Sequence, residues 1–279
     1  MSVTAGTIFH KTRVPLTTWF EAIWLFTSSK AGVSATLHRV LAINSYQTAW
    51  TMLAKLRAVL SQNGLEPLTG RVEVDETFIG GVRSGKPGRG AAGKVLVAGG
   101  VEITENGWGR ARMAIIEDAS AASLRGFITA NIAVGSTIVS DAWKGYPPAM
   151  DGYDHEPLNV AASGSPAHEA LPAIHRIFSL VRRLLEGTYQ GGGSHEHLQE
   201  YLDEYVFRFN RRHTRDRGLV FMRLLQRAVA SGPVTYRALV RIARPKATRP
   251  AGAQAQTRCC PGTLDVETLD PPRQRARPT

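Results

Sequence analysis

The chain has 279 residues, 43% of them apolar, which is enough to build a substantial core and identifies a globular protein. Lysine and arginine outnumber aspartate and glutamate by 34 to 23, and the isoelectric point of about 10.1 points to a polyanionic partner, above all nucleic acid. The two cysteines, Cys259 and Cys260, are adjacent and exclude a disulfide framework or a paired-cysteine zinc site, while the most apolar early run, "WFEAIWLF", is too short to span a bilayer and contains Glu21. The opening "MSVTAGTIFHKTRV" lacks the apolar core of a signal peptide, so a cytoplasmic, nucleoid-associated protein is expected.

Residues 15–60 read as helices. "VPLTTWFEAIWLFTSS" places Pro15 at a helix start and Trp19, Ile23 and Phe26 at helical intervals. A short helix follows in "SATLHRVL", capped by Ser34, and a third in "SYQTAWTMLAKLRAVL", capped by Ser45. With only "AIN" between them, and Gln47, Thr48, Lys55 and Arg57 on the second, the pair suggests a helix-turn-helix that meets the major groove; an ordinary antiparallel pair is the alternative. "SQNGLEPLTG" then marks a boundary, so residues 1–65 are expected to form a helical DNA-binding region.

From residue 71 the period changes. "RVEVDETFIG", "KVLVAGGVEI" and "RARMAIIED" alternate as three antiparallel strands, and "SAASLRGFITANI" is a helix with Leu124, Phe127, Ile128 and Ile132 on one side. "STIVSDAW" returns as a fourth strand parallel to the first, giving a mixed α/β sheet. Residues 82–94, "VRSGKPGRGAAGK", form either a phosphate-facing loop or a hairpin tip. A long connection precedes two helices with apolar stripes, Ile174 to Leu185 and Leu198 to Phe209. Residues 66–212 would then be one catalytic α/β domain, 213–243 a helical extension, and 244–279, with six prolines and repeated arginine, a disordered basic tail.

Two aspartates stand where strands ordinarily exclude charge. If the first and fourth strands are neighbours, Asp75 and Asp141 meet at one end of the sheet, and two carboxylates so placed repel unless a divalent cation lies between them. Taken singly, Asp141 could cap the turn at "DAW" and Asp75 could pair with an arginine. Trp143 and Tyr146 after Asp141 could stack on a base or pack the strand end, with packing the favoured expectation, and His155 and His168 are read as surface or hydrogen-bonding residues of the long connection.

Together, "VEVDETFIGG", "IVSDAWKGY" and "GTYQGGGSHEHLQEYLDEYVFRFNRR" resemble the ISXO-type branch of the DDE insertion-sequence transposases, and the likeness runs from about Thr4 to about residue 240. The resemblance implies a ribonuclease H-like domain that binds double-stranded DNA at the ends of its own element, cuts with Mg²⁺ or Mn²⁺ at a two-metal site, joins 3′ ends to a target, and works as a homo-oligomer on DNA. Asp75 and Asp141 match the first two metal ligands. The third, usually Glu or Asn at the head of a late helix, falls on His175 of "LPAIHRIFSLVRR", and Arg182 takes the basic position seven residues later, on the same helical face. Glu169 is a possible substitute ligand. Imidazole suits Mn²⁺ better than the harder Mg²⁺, so a manganese preference is expected. Phosphate contacts are expected from Arg182, Arg183 and the run "FNRRHTRDR", which contains Arg211 and Arg212. Relatives commonly carry a cysteine-rich zinc ribbon ahead of the matched stretch, and the expectation is either that it is lost here or that the start codon is assigned too late. A DNA-binding remnant without catalysis and a structure-selective nuclease of the same fold are the rival readings.

Overall fold

The computed structural model describes residues 2–62, 64–80, 94–158, 167–189 and 196–242, all within one compact unit, Met1–Pro245. The loop at 82–94, apart from Lys94, and the tail from 244 onward lie outside the described residues.

Three helices come first: α1 (Leu16–Ser28), α2 (Leu37–Val40) and α3 (Tyr46–Ala58). Pro15 occupies the N-cap of α1, and Trp19, Ile23 and Phe26 are buried as their spacing requires. The Ser45 hydroxyl caps α3 by accepting from the Thr48 N–H. α2 is a single turn that starts after Thr36, and Ser34, expected as its cap, bonds to Thr36 instead. Most of α3 is turned inward: Met52, Leu53 and Leu56 enter an apolar cluster with α1 residues.

The sheet has five strands in the order β3-β2-β1-β4-β5, with β1 Arg71–Ile79, β2 Val95–Thr104, β3 Gly107–Ile116, β4 Thr137–Asp141 and β5 Asp154–Leu158. β1, β2 and β3 meander antiparallel, and β4 returns parallel to β1 after the crossover helix α4 (Ala121–Asn131), which Ser120 caps through the Ser123 N–H. This mixed order is that of a ribonuclease H-like sheet. β5 is an addition to the sequence expectation, which placed only a connection there. Its "DHEPL" carries no alternating apolar face, and as an outer strand pairing parallel with β4 it tolerates Pro157.

Two apolar layers cover the sheet. α4 packs on one face over Val72, Val74, Ala98 and Ile138. On the other lie α6 (Pro172–Gly187) and α7 (Leu198–Phe209), over Val97, Val101, Met113 and Val139. The one-turn α5 (Ala167–Ala170) precedes α6, and α8 (Arg217–Ala230) and α9 (Tyr236–Ile242) follow α7. α8 contributes Val220, Leu224 and Ala228 to the same cluster as α1 and α3.

Arg57, expected among the groove-facing residues of α3, is buried instead. Its Nε donates to Glu204 Oε2 of α7 at 2.7 Å, and its guanidinium lies over the rings of Tyr189 and Tyr201. Arg208 Nη2 reaches the other Glu204 oxygen at 2.6 Å. Burial alone would raise the Glu204 carboxyl, but Arg57 and Arg208 outweigh it and hold the group below its ordinary range. An apolar replacement of one partner strands the other charge, so Arg57→Met is expected to cost about 3–5 kcal/mol in urea unfolding. The double variant Arg57→Met, Glu204→Gln should recover part of that loss; no recovery would mean that the pair is not the source.

Candidate active site

Strand alternation sorts the acids of β1. Val72 and Val74 point into the α4 layer, so Glu73 and Asp75 project to the face covered by α6. β4 repeats the pattern, with Ile138 on the α4 side and Val139 on the α6 side, so Asp141 shares the face of Val139. The parallel ladder pairs Arg71 with Thr137, Val72 with Ile138 and Glu73 with Val139; Asp75 and Asp141 each lie two residues beyond its last pair, near enough for the charge of Asp141 to act on Asp75.

Asp75 is partly buried. Its Oδ1 accepts from the Glu76 N–H at 2.8 Å, and its Oδ2 lies 3.5 Å from His175 Nε2. Burial pushes its carboxyl up to about 7, opposed by the Glu76 N–H and reinforced by the negative charges of Glu76, Asp141 and Glu73. Asp141 Oδ1 accepts from the Trp143 N–H at 3.2 Å, a short cap of its own turn. Among the described residues no three His, Cys, Asp or Glu side chains are gathered into a ready metal-binding group. The donor chemistry nevertheless suits a divalent cation: two carboxylates share one face, burial and then neighbouring negative charges raise one of them, and an imidazole stands beside it.

His175 is placed by the start of α6. Pro172 opens the helix, and Leu171 at the N-cap position supplies no side-chain cap. The missing acceptor comes from another element: Glu73 Oε2, two residues before Asp75 on the same strand face, accepts from the N–H groups of Ala173 at 2.9 Å and Ile174 at 3.0 Å. Burial pushes the Glu73 carboxyl up, and these two N–H groups, then Arg71, offset only part of that rise. Gly99, paired with Asp75 across the ladder, lets α6 approach; a Cβ there would sit 2.8 Å from both Ile174 Cδ1 and Phe178 Cε1.

The seven-residue interval places Arg182 on the His175 side of α6, where its Nη2 donates to Thr77 Oγ1 of β1 at 2.6 Å. Arg183 turns away and lines a recess with Arg211 and Arg212. On α3, Gln47 is exposed and Thr48 half-buried, while Lys55 donates to the Ile8 carbonyl at 2.9 Å and is held below its ordinary pKa by burial. Glu169 is exposed on α5, the side chain of His168 lies outside the described residues, and His155 Nε2 bonds to Ser140 Oγ at 2.9 Å. Trp143 packs with its Nε1 donating to the Ala119 carbonyl. Tyr146 is fully buried and donates to Glu76 Oε2 at 2.6 Å.

Glu73 and Glu76 were not singled out from the sequence, and Tyr146 was read there only as packing or base stacking, without its bond to Glu76. The period of two did carry a sign of Glu73, since any residue two before Asp75 shares its face; its helix partner was invisible. Glu73→Ala leaves two buried N–H groups without an acceptor and is expected to cost roughly 1–3 kcal/mol. Glu73→Gln, which keeps an acceptor, should cost less; equal urea midpoints for the two variants would contradict the capping role.

Residues 67–210, just over half of the chain, match the model of the ISXO2-like transposase domain family. Among solved structures the chain is similar to one in a cryoEM structure of a simian T-cell lymphotropic virus intasome in complex with PP2A regulatory subunit B56 gamma, at 13% identity and a TM-score of 0.35, covering 83% of this chain and 78% of that one. Comparison with curated protein sequences gave no match.

Proposed function

The chain belongs to the ISXO2-like transposase domain family, and from that premise we propose that it cuts double-stranded DNA at the ends of an insertion sequence and joins those ends to a target. The observation that supports the reading is that Asp75 on β1 feels the charge of Asp141 on the neighbouring strand β4 while His175 stands 3.5 Å from Asp75.

Asp75, Asp141 and His175 are the residues that would hold the divalent ion. Mg²⁺ or Mn²⁺ bound there would compensate the crowded carboxylates and supply the charge stabilisation that phosphodiester cleavage and transfer require. Arg182, steadied by Thr77, holds a phosphate beside them, and its guanidinium is suited to paired hydrogen bonds with phosphate oxygens. Arg183, Arg211 and Arg212 extend the phosphate contacts along the outside of α6 and the end of α7. In the N-terminal region, the exposed Gln47 and the half-buried Thr48 at the start of α3 contact duplex DNA, with Lys55 contributing charge from farther along the same helix. Two element ends must be held together for joining, so a homo-oligomer on DNA is part of the proposal. The imidazole of His175 should favour Mn²⁺ over Mg²⁺.

The test is strand cleavage and joining on a plasmid carrying the gene with its flanking DNA, in Mg²⁺ or Mn²⁺. The wild type is expected to cut at the gene's borders and join the product, faster with Mn²⁺, whereas Asp141→Ala and His175→Ala should do neither. Cutting without joining would indicate a structure-selective nuclease, binding without cutting a non-catalytic remnant, and an unimpaired His175→Ala variant would remove His175 from the ligand set.

Binding itself should be strongly salt-dependent. With six or more phosphates neutralised, raising salt from about 50 to 200 mM should weaken DNA affinity about a thousandfold or more. A nearly flat salt response in fluorescence anisotropy would argue against the arginine contacts.

A further inference from the structure

The helix that carries His175 has a second working side. A residue step of about 100° turns Arg176, Leu180 and Arg183 away from β1 and into a recess of about 930 Å³. Its walls also include Lys30 beyond the end of α1, Trp108 at the start of β3, Tyr205 and Phe209 of α7, and Arg217 of α8. In all, six arginines and one lysine line it, and no carboxylate does.

These cations are of two kinds. Arg208 is bound to Glu204 and to the Ser29 carbonyl, and Arg212 is tied to the Trp108, Gly109 and Phe209 carbonyls while lying over the Phe209 ring at 3.9 Å. Lys30, Arg176, Arg183 and Arg217, by contrast, make no hydrogen bond or ion pair among the described residues. Arg211, also in the lining, donates to the Phe207 carbonyl and is lowered to about 10 by burial and by the like charges of Arg227, Arg223 and Arg112.

The recess also has aromatic walls and an unmet polar group. Trp108 is 38% exposed at its edge, and Tyr205 stacks with Phe209 inside it. The Tyr205 hydroxyl is buried with no hydrogen-bond partner among the described residues, although it feels the charges of Arg212 and Arg176. Buried hydroxyls are ordinarily paired, so this one calls for an acceptor such as a phosphate or base oxygen.

We propose that this recess receives an unpaired nucleotide of the DNA substrate, its base against Trp108 and its phosphate between Arg176 and Arg183. This rests on the transposase reading and assigns that site a substrate feature. A double helix presents a convex ridge of phosphates and cannot bring a stacked base into a concave recess of about 930 Å³. A single nucleotide can, and it needs what the recess offers: an aromatic face for the base and cations for the phosphate. The recess lies a third of a turn around α6 from His175. That arc is roughly 10 Å, or about three nucleotide steps of duplex, so a strand held at Asp75 reaches it within a few residues.

The experiment uses the full chain and two fluorescein-labelled oligonucleotides of the same sequence, one fully duplex and one with a single unpaired 2-aminopurine at a junction. Wild type is expected to bind the unpaired form at least tenfold more tightly and to quench 2-aminopurine on binding. Trp108→Ala should lose the quenching, and Arg176→Ala with Arg183→Ala should reduce the preference to under threefold, with folding of each variant checked by circular dichroism. Wild type that binds both oligonucleotides equally and without quenching overturns the recess proposal alone. Wild type that binds neither overturns it together with the transposase reading. Quenching that survives Trp108→Ala overturns the assigned base contact.

Discussion

A single carboxylate ties the candidate chemistry together. Glu73 extends from the strand that bears Asp75 and accepts the first free N–H groups of the helix that bears His175. Helix starts normally find an acceptor within the same chain segment; here it comes from about 100 residues away, so helix and strand are set relative to each other at the point where the aspartate and the imidazole must meet. Gly99 works to the same end from the neighbouring strand by leaving room for Ile174 and Phe178. The cost is a buried acid, which the two N–H groups and the partial positive charge of the helix start moderate.

The same principle orders the rest of the charge. The buried ions Arg57 and Glu204 join α3 to α7 and are completed by Arg208 and the Tyr189 hydroxyl. They face inward because each has a partner. Lys30, Arg176, Arg183 and Arg217 face the recess beside α6 with no such partner among the described residues. Charge that is matched builds the scaffold, and charge that is unmatched lines the recess. The division runs along one helix: His175 and Arg182 look toward β1, Arg176 and Arg183 toward the recess.

Much of the architecture was legible in the residues. The alternation in "RVEVDETFI" and "TIVSD" marked two strands, the crossover helix between them required parallel pairing, and the 66-residue interval from Asp75 to Asp141 turned out to be the register offset of β1 and β4. The seven-residue interval from His175 to Arg182 likewise placed both on the β1 side of α6. β5 was not legible, because an outer strand with a mostly exposed surface needs no apolar alternation. Nor was the fate of Arg57, whose helix position was compatible with either solvent or core.

The sequence by itself identified the family through the resemblance of its motifs, and it determined the mixed α/β class, the two aspartates on neighbouring strands and the excess of positive charge, because periodicity, crossover length and composition are properties of short segments. Only the tertiary structure decided which charges are matched. The Glu73 cap, the Arg57–Glu204–Arg208 cluster and the uncompensated recess beside α6 each join groups far apart along the chain, and whether a charge is buried against a partner or left for a ligand depends on packing that no local pattern encodes.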